Sequence, residues 1–162
     1  MKFWIKLRKW KPILLWTLLC EAVGFLVFLL TRNGVKWFEA NAVKPPLMPP
    51  GWLFGVVWAI LYGVMGISAG RIWVRSDPEK RSWELNLFVV QLVLNFFWSL
   101  IFFNARAFGF AAIWIVALWI AVLVMILRFH KVDKIAAWLQ IPYLAWLTLA
   151  SYLSFGVWLL NG

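Results

Sequence analysis

Residues 108–127 have the sequence FGFAAIWIVALWIAVLVMIL, which contains no charged side chain. About 20 apolar residues in a helix are enough to cross the hydrocarbon core of a bilayer. Four more apolar blocks of similar length lie along the chain, at Pro12–Leu30, Trp52–Val74, Leu85–Phe103 and Ile135–Leu160. The sequence therefore predicts an all-α integral membrane protein, a single domain (1–162) built as a bundle of five transmembrane helices.

The composition agrees with a membrane location. Hydrophobic residues make up 65% of the chain and the mean hydropathy is +0.86, whereas soluble domains contain roughly 45–50% apolar residues. A soluble domain of this length has too little interior to bury so much apolar surface. The lipid bilayer is therefore the first partner that the sequence predicts.

The basic residues act as a topology signal. Sixteen Lys plus Arg stand against six Asp plus Glu, and they lie between the apolar blocks, which disfavours a nucleic-acid partner. The N-terminal segment contains five cations. The connection between the second and third blocks contains four, with Arg71 included, and the connection between the fourth and fifth blocks contains three. The other connections and the C-terminus hold three, one and none. The positive-inside rule thus predicts a cytoplasmic N-terminus, and the bias suits a bacterial inner membrane.

Polar residues inside the apolar blocks need a reason. Glu21 is the only acidic residue within one, and it is either a functional carboxylate or a protonated side chain bonded to a neighbouring helix. Gln91, Asn95 and Ser99 in the third block recur with Phe102 on one helix face. This ladder predicts either hydrogen bonds between helices or the wall of a ligand pocket.

The second and fifth blocks carry glycine or aromatic residues at helical spacing. Gly63, Gly66 and Gly70 form a smooth stripe suited to close helix packing, as does the pair Gly51 and Gly55. Aromatic stripes run along the second block from Trp58 to Tyr62 and along the fifth from Tyr143 to Trp146, beside a kink expected at Pro142. Each aromatic stripe taken alone is more typical of packing than of a site.

Taken together, three blocks supply inward-facing candidates. A cavity with flat aromatic walls and a few amide and hydroxyl groups suits a large planar ligand with polar edges, such as a tetrapyrrole or a sterol. No metal site is expected, because the sole histidine, His130, lies among cations in a connection. The inward candidates are Trp58, Tyr62, Asn95, Trp98, Tyr143 and Trp146.

Three ordered motifs resemble one known family. They are KPPLMPPGWLFGVVWAILYG at residues 44–63, QLVLNFFWS at residues 91–99 and AAWLQIPYLAW at residues 136–146. ASYL at residues 150–153 continues the agreement. The chain is thereby identified as a member of the TspO/translocator protein family, also known as the tryptophan-rich sensory proteins or peripheral-type benzodiazepine receptors. The resemblance extends from about Trp37 to Asn161.

The resemblance implies a fold and a site. It implies five packed helices, commonly in a homodimer, with a pocket that opens toward a lid-like connection at residues 31–51. It implies porphyrins and other haem precursors, sterols and benzodiazepine-type drugs as ligands. No cofactor is required. At the matching motif positions the pocket residues are Trp58, Asn95, Trp98, Ser99, Trp146 and Ala150.

Two functions remain open at this point. The first is a membrane receptor or sensor that binds porphyrins and serves tetrapyrrole regulation or trafficking. The second is light-dependent porphyrin breakdown, for which Trp58 and Trp146 are the candidate catalytic residues. Sterol binding or transport is a weaker alternative, because no Lys or Arg follows Tyr152 to complete a sterol motif.

Overall fold

The computed structural model describes the backbone of residues 2–162 and the side chains of residues 8–162. Two of the N-terminal cations used for the topology prediction, Lys2 and Lys6, have side chains outside the described residues. The described chain is helical almost throughout. The helices are α1 (Lys2–Asn41), α2 (Gly51–Arg75), α3 (Pro78–Ser99), α4 (Phe108–Val132), α5 (Lys134–Leu139) and α6 (Ile141–Asn161), and a π-helical turn (Leu100–Asn104) extends α3.

Five helical segments are long and apolar enough to cross a membrane, and they confirm the predicted bundle. The α3 segment includes the π-helical turn, and the fifth segment comprises α5 and α6. The first apolar segment is the least buried of the five, because most of α1 faces outward and only one face packs on α2. The protein is therefore a multi-pass integral membrane protein.

The prediction that residues 31–51 form a loop is wrong for its first half. Helix α1 continues to Asn41, and only residues 42–50 connect it to α2. The apolar run ends at Leu30, but Phe38 is buried against Phe102 and Phe103, with ring centroids 5.3 and 5.7 Å apart. This contact holds the extension against the bundle, so α1 is about 60 Å long and exceeds the thickness of the hydrocarbon core.

Glycines let α1 and α2 approach closely. A Cβ added to Gly66 or Gly70 would collide with the α1 backbone at Thr17 and Ile13 respectively. The prediction of a packing stripe is confirmed at these two positions. It is wrong at Gly55, where a Cβ would meet nothing within 4 Å.

The fifth transmembrane segment breaks where the sequence places its proline. Helix α5 ends at Leu139, Gln140 forms a turn, and α6 begins with Pro142 in its first turn. Proline has no N–H to donate to the preceding turn, so the helix cannot continue straight through it. The break positions Tyr143 to project into the centre of the bundle, where its side chain is fully buried.

Candidate ligand site among α2, α3 and α6

A hydrogen-bonded network joins three helices at the centre of the bundle. The Tyr62 hydroxyl donates to Asn95 Oδ1 at 2.8 Å, and Asn95 Nδ2 donates to the Tyr143 hydroxyl at 2.7 Å. That hydroxyl in turn donates to Gln91 Oε1 at 2.9 Å. All four side chains are at most 4% exposed. Because all four side chains are buried, the bonds fix the relative positions of α2, α3 and α6.

Aromatic rings pack against one side of this network. The Trp58 ring lies 5.7 Å from Tyr62, 6.2 Å from Tyr143 and 6.5 Å from Trp146, measured between ring centroids. Phe54, one turn before Trp58 on α2, lies edge-on to Trp146 at 5.3 Å. We call these five rings the aromatic wall. Phe54, Trp58 and Trp146 are only half-buried, so they form its accessible part.

Several buried donors near the network have no hydrogen-bond partner among the described residues. They include the Gln91 amide nitrogen and the Trp146 indole nitrogen. A buried donor left unpaired costs about 1–3 kcal/mol. An acceptor presented by a bound molecule would remove that cost.

Trp98 belongs to a different aromatic group. Its ring stacks on Phe102 at 5.1 Å and meets Phe103 edge-on at 6.2 Å, next to the buried Phe38 and Phe108. No ring contact among the described residues joins this group to the aromatic wall. The structure thus brings together Trp58, Tyr62, Asn95, Tyr143 and Trp146. It places the Trp98 ring in the separate group around Phe38 and Phe102.

The two small residues implied by the family resemblance are buried. Ser99 is 7% exposed and Ala150 is 3% exposed. Ser99 lies one turn after Asn95 on α3, and Ala150 lies one turn after Trp146 on α6. Their small side chains limit how far these two helix faces project into the bundle.

Two deep tryptophans lie apart from the site, whereas Glu21 of α1 borders it at the position after Tyr62. The Trp114 indole donates to the Leu94 carbonyl at 2.8 Å and the Trp119 indole donates to Thr148 at 2.9 Å, so both link α4 to its neighbours. Glu21 is half-buried, and its Oε1 lies over Gly63 of α2. No side-chain hydrogen bond from Glu21 to another helix is present within residues 8–162.

Sequence reasoning missed three residues of this region. Phe54 was not singled out, although its position four residues before Trp58 puts it on the same helix face. Gln91 was placed on the polar ladder but not in the site. Gln140 is fully buried with neither amide atom paired among the described side chains; its position beside Pro142, where the helix breaks, was the available signal.

The connection between α1 and α2 packs on the C-terminal end of α6. The Asn161 amide accepts from the Val43 nitrogen and donates to the Val43 carbonyl, both at 2.9 Å. Pro45 is buried against Gly156, where an added Cβ would lie 2.7 Å from the proline ring. Residues 42–50 are therefore held to the end of α6, and we call them the lid.

An ion pair between Arg71 of α2 and Asp133 lies at the end of the bundle opposite the lid. Arg71 Nε lies 2.8 Å from Asp133 Oδ2, and Arg71 Nη2 donates to Asp133 Oδ1 at 3.2 Å. Burial acts to raise the pKa of Asp133, but the bonds and charge of Arg71, with the Ile135 and Ala136 backbone N–H groups, outweigh it and lower that pKa. The carboxylate also caps α5 through Ile135. This pair fixes α2 against the start of the fifth segment.

The site combines aromatic rings with amide groups. It offers flat apolar rings, amide and phenol groups and two indoles, and no cluster of metal-binding side chains occurs in the described part of the chain. The fold and the site define a multi-pass helical membrane protein with an amide–phenol network flanked by aromatic rings. The TspO/MBR family model matches residues 16–159, and the chain belongs to that family.

Several characterised relatives match over most of their length. The Tryptophan-rich protein TspO of Chlorobaculum tepidum is 37% identical over 147 residues, which cover 88% of this chain and 91% of that protein. The Translocator protein of Bos taurus is 34% identical over 92% of this chain and 89% of its own. Protein CrtK of Rhodobacter capsulatus is 35% identical over 77% and 78% respectively.

Proposed function

We propose that this protein is a membrane receptor that binds a porphyrin against the aromatic wall, with the lid on the ligand's outer side. The observation that carries the proposal is the arrangement of two half-buried indoles, Trp58 and Trp146, beside a fully buried amide–phenol network. Large flat rings favour a flat apolar ligand, because stacked or edge-on aromatic contacts add to area burial. The polar edge of that ligand would meet the unpaired donors of Gln91 and Trp146.

The same site supports a role in tetrapyrrole sensing or trafficking. A receptor needs a bound state that differs from the free one, and the lid is attached mainly through the Asn161 amide and the Pro45 contact. Ligand entry would displace or reorder these contacts at the lid end. Benzodiazepine-type drugs, which carry apolar aromatic rings, would compete for the same rings, and a sterol would compete less well because it lacks an aromatic face.

The proposal also includes an orientation in the membrane and an assembly. The cation bias supports a cytoplasmic location for the N-terminus and the Arg71–Asp133 end, and the lid would then face the outside of a bacterial inner membrane. A homodimer is the expected assembly, with the exposed apolar surface of the bundle available for contact between copies.

A titration tests the binding proposal. Purified protein in detergent would be titrated with protoporphyrin IX in the dark, following tryptophan quenching and the Soret band. Replacing Trp58 or Trp146 by Leu should weaken binding about five- to tenfold, since each loses about 1 kcal/mol or more of aromatic contact. Trp52→Leu is the matched control because Trp52 is 71% exposed. Equal affinity in all four proteins would refute the site.

Light-dependent breakdown of the porphyrin is the second candidate function. It is favoured by the closeness of Trp58 and Trp146, whose indole rings lie 6.5 Å apart beside the proposed ligand. Illumination of the complex, with product masses followed over time, separates the two functions. Breakdown that requires the protein and is lost in Trp58→Phe or Trp146→Phe would establish the chemical role. Binding with no protein-dependent breakdown would leave a receptor.

A further inference from the structure

A groove unrelated to the aromatic wall opens at the other end of the bundle. It consists of two adjoining hollows of about 310 and 420 Å³, both bounded by the first part of α1 and the end of α2. Volumes of this order are typical of sites for small molecules. We call the two hollows together the basic groove; its main lining residues are Arg8, Lys9, Lys11, Trp16, Trp73 and Arg81.

The basic groove changes from charged to apolar along its length. Arg8, Lys9 and Lys11 stand before the first apolar block, and Leu15 and Trp16 lie one turn inside it. Trp73 lines both hollows, and its ring centroid is 6.4 Å from that of Trp16. The groove therefore crosses the boundary between the headgroup layer and the hydrocarbon core, with cations on the water side.

No carboxylate among residues 8–162 forms an ion pair with a cation of the groove. The ion pairs among the described residues are Arg71–Asp133 and Arg128–Glu84, and neither includes a groove residue. Asp77 is exposed and does not line either hollow, and the sequence of residues 1–7 contains no acid. A concentrated positive charge without a protein counterion attracts an anion.

Arg81 is held in place at the rim. Its guanidinium carbon lies 4.9 Å from the centroid of the Trp73 ring, and Nη2 donates to the Ser76 carbonyl at 3.4 Å. A guanidinium over an indole is held by the ring quadrupole and still has free N–H groups for an anion. Guanidinium geometry also matches two oxygens of one phosphate.

We propose that the basic groove binds one anionic phospholipid of the surrounding leaflet. Arg8 and Arg81 bind the headgroup phosphate, Lys9 and Lys11 add to the local charge, and the first part of an acyl chain lies along Leu15, Trp16 and Trp73. A free phosphate ion would use only the charged half, whereas the apolar half requires a lipid. Basic pockets between transmembrane helices are known to select anionic headgroups.

Native mass spectrometry of the whole protein released from detergent micelles tests the proposal. Dioleoyl phosphatidylglycerol and dioleoyl phosphatidylcholine would be titrated separately, and inorganic phosphate would be added as a competitor. The first phosphatidylglycerol should bind at least tenfold more tightly than phosphatidylcholine. Each cation contributes about fivefold to such binding, so R8Q/R81Q should weaken it about 25-fold.

The matched control is K131Q/K134Q, which removes two exposed cations from the same end of the bundle but outside the groove. It should change phosphatidylglycerol binding less than twofold. An equal loss in both double variants would overturn the proposal in favour of diffuse attraction. Displacement of the lipid by inorganic phosphate at similar concentration would show that the groove binds a free anion instead.

Two single variants separate lipid contact from folding. Arg8 is exposed and makes no described side-chain hydrogen bond or ion pair, so R8Q should fold normally and still lose about fivefold in affinity. R81K keeps the charge but loses the guanidinium geometry, so it should weaken the binding less than R81Q does. An unchanged affinity in R8Q, or a loss in R81K as large as in R81Q, would contradict the assigned roles.

Discussion

The amide–phenol network makes a quantitative prediction about stability. Tyr143→Phe keeps the ring but deletes two hydrogen bonds, of 2.7 Å from Asn95 and 2.9 Å to Gln91. Hydrogen bonds between membrane helices contribute about 0.6 kcal/mol on average and up to about 1.7 kcal/mol. The change also leaves the Asn95 N–H and the Gln91 carbonyl buried without this partner, so we expect a loss of about 1–3 kcal/mol in the free energy of unfolding.

The other two tyrosines of the chain provide matched comparisons. Tyr62→Phe deletes one hydrogen bond, of 2.8 Å to Asn95, and should cost about half as much as Tyr143→Phe. Tyr152 is 46% exposed and makes no hydrogen bond among the described side chains, so Tyr152→Phe should fall within about 0.5 kcal/mol of the unsubstituted protein. The three substitutions remove the same hydroxyl group and differ only in its surroundings.

The measurement is reversible unfolding in mixed dodecylmaltoside and dodecyl sulfate micelles, followed by circular dichroism. A double-mutant cycle of Tyr62→Phe and Tyr143→Phe should show non-additive losses, because both hydroxyls bond the same Asn95 amide. A Tyr62 variant less stable than the Tyr143 variant would refute the assigned network. So would a Tyr143 variant as stable as the Tyr152 variant.

Three further predictions concern packing, charge and the lid. Gly66→Leu should lower the unfolding free energy by about 1–3 kcal/mol, since its side chain would push α2 away from α1; detergent unfolding measures it. Arg71→Gln should cost about 1–3 kcal/mol at neutral pH, between the effects of exposed and buried ion pairs. Because Arg71 lowers the pKa of Asp133, this difference should be full above about pH 4 and shrink as the pH falls further. Asn161→Leu should speed both association and dissociation of protoporphyrin in stopped-flow quenching, because it frees Val43 of the lid.

Each of these has a control within the chain. Gly55→Leu should be nearly neutral, as no atom lies within 4 Å of an added Cβ there; a loss equal to that of Gly66→Leu would count against close α1–α2 packing. Lys131→Gln should show no such pH dependence, and a constant Arg71→Gln deficit down to pH 2 would contradict the role of Asp133. Asn41→Leu, which removes a bond only within α1, should leave ligand kinetics unchanged. The same acceleration in this variant would contradict the role of the lid in ligand entry.

The sequence predicted the five spans and the polar face of α3 because both depend on local pattern. Blocks of about 20 apolar residues read directly as transmembrane helices. The spacing of Gln91, Asn95 and Ser99 put them on one face, and all three are buried. The packing role of Gly66 and Gly70 could be predicted for the same reason, since small residues on one face of an apolar helix allow close helix packing.

The remaining features depend on contacts that are distant in sequence. Hydropathy falls at Thr31, yet α1 continues, because Phe38 packs on rings from the end of α3. Trp98 lies on the same side of α3 as Asn95 but stacks on Phe102, so periodicity alone could not separate it from the aromatic wall. The basic groove was hidden for another reason: its cations also served the topology pattern, and only the fold shows that Arg8 and Arg81 line one groove.

A structure of the protein with bound protoporphyrin IX would show whether the aromatic wall is the porphyrin site. We expect the macrocycle to lie in van der Waals contact, within about 4 Å, with both Trp58 and Trp146, and a polar edge to lie near the Gln91 amide. Density for the macrocycle in the basic groove between Trp16 and Trp73, or only on the lipid-facing surface, would contradict it.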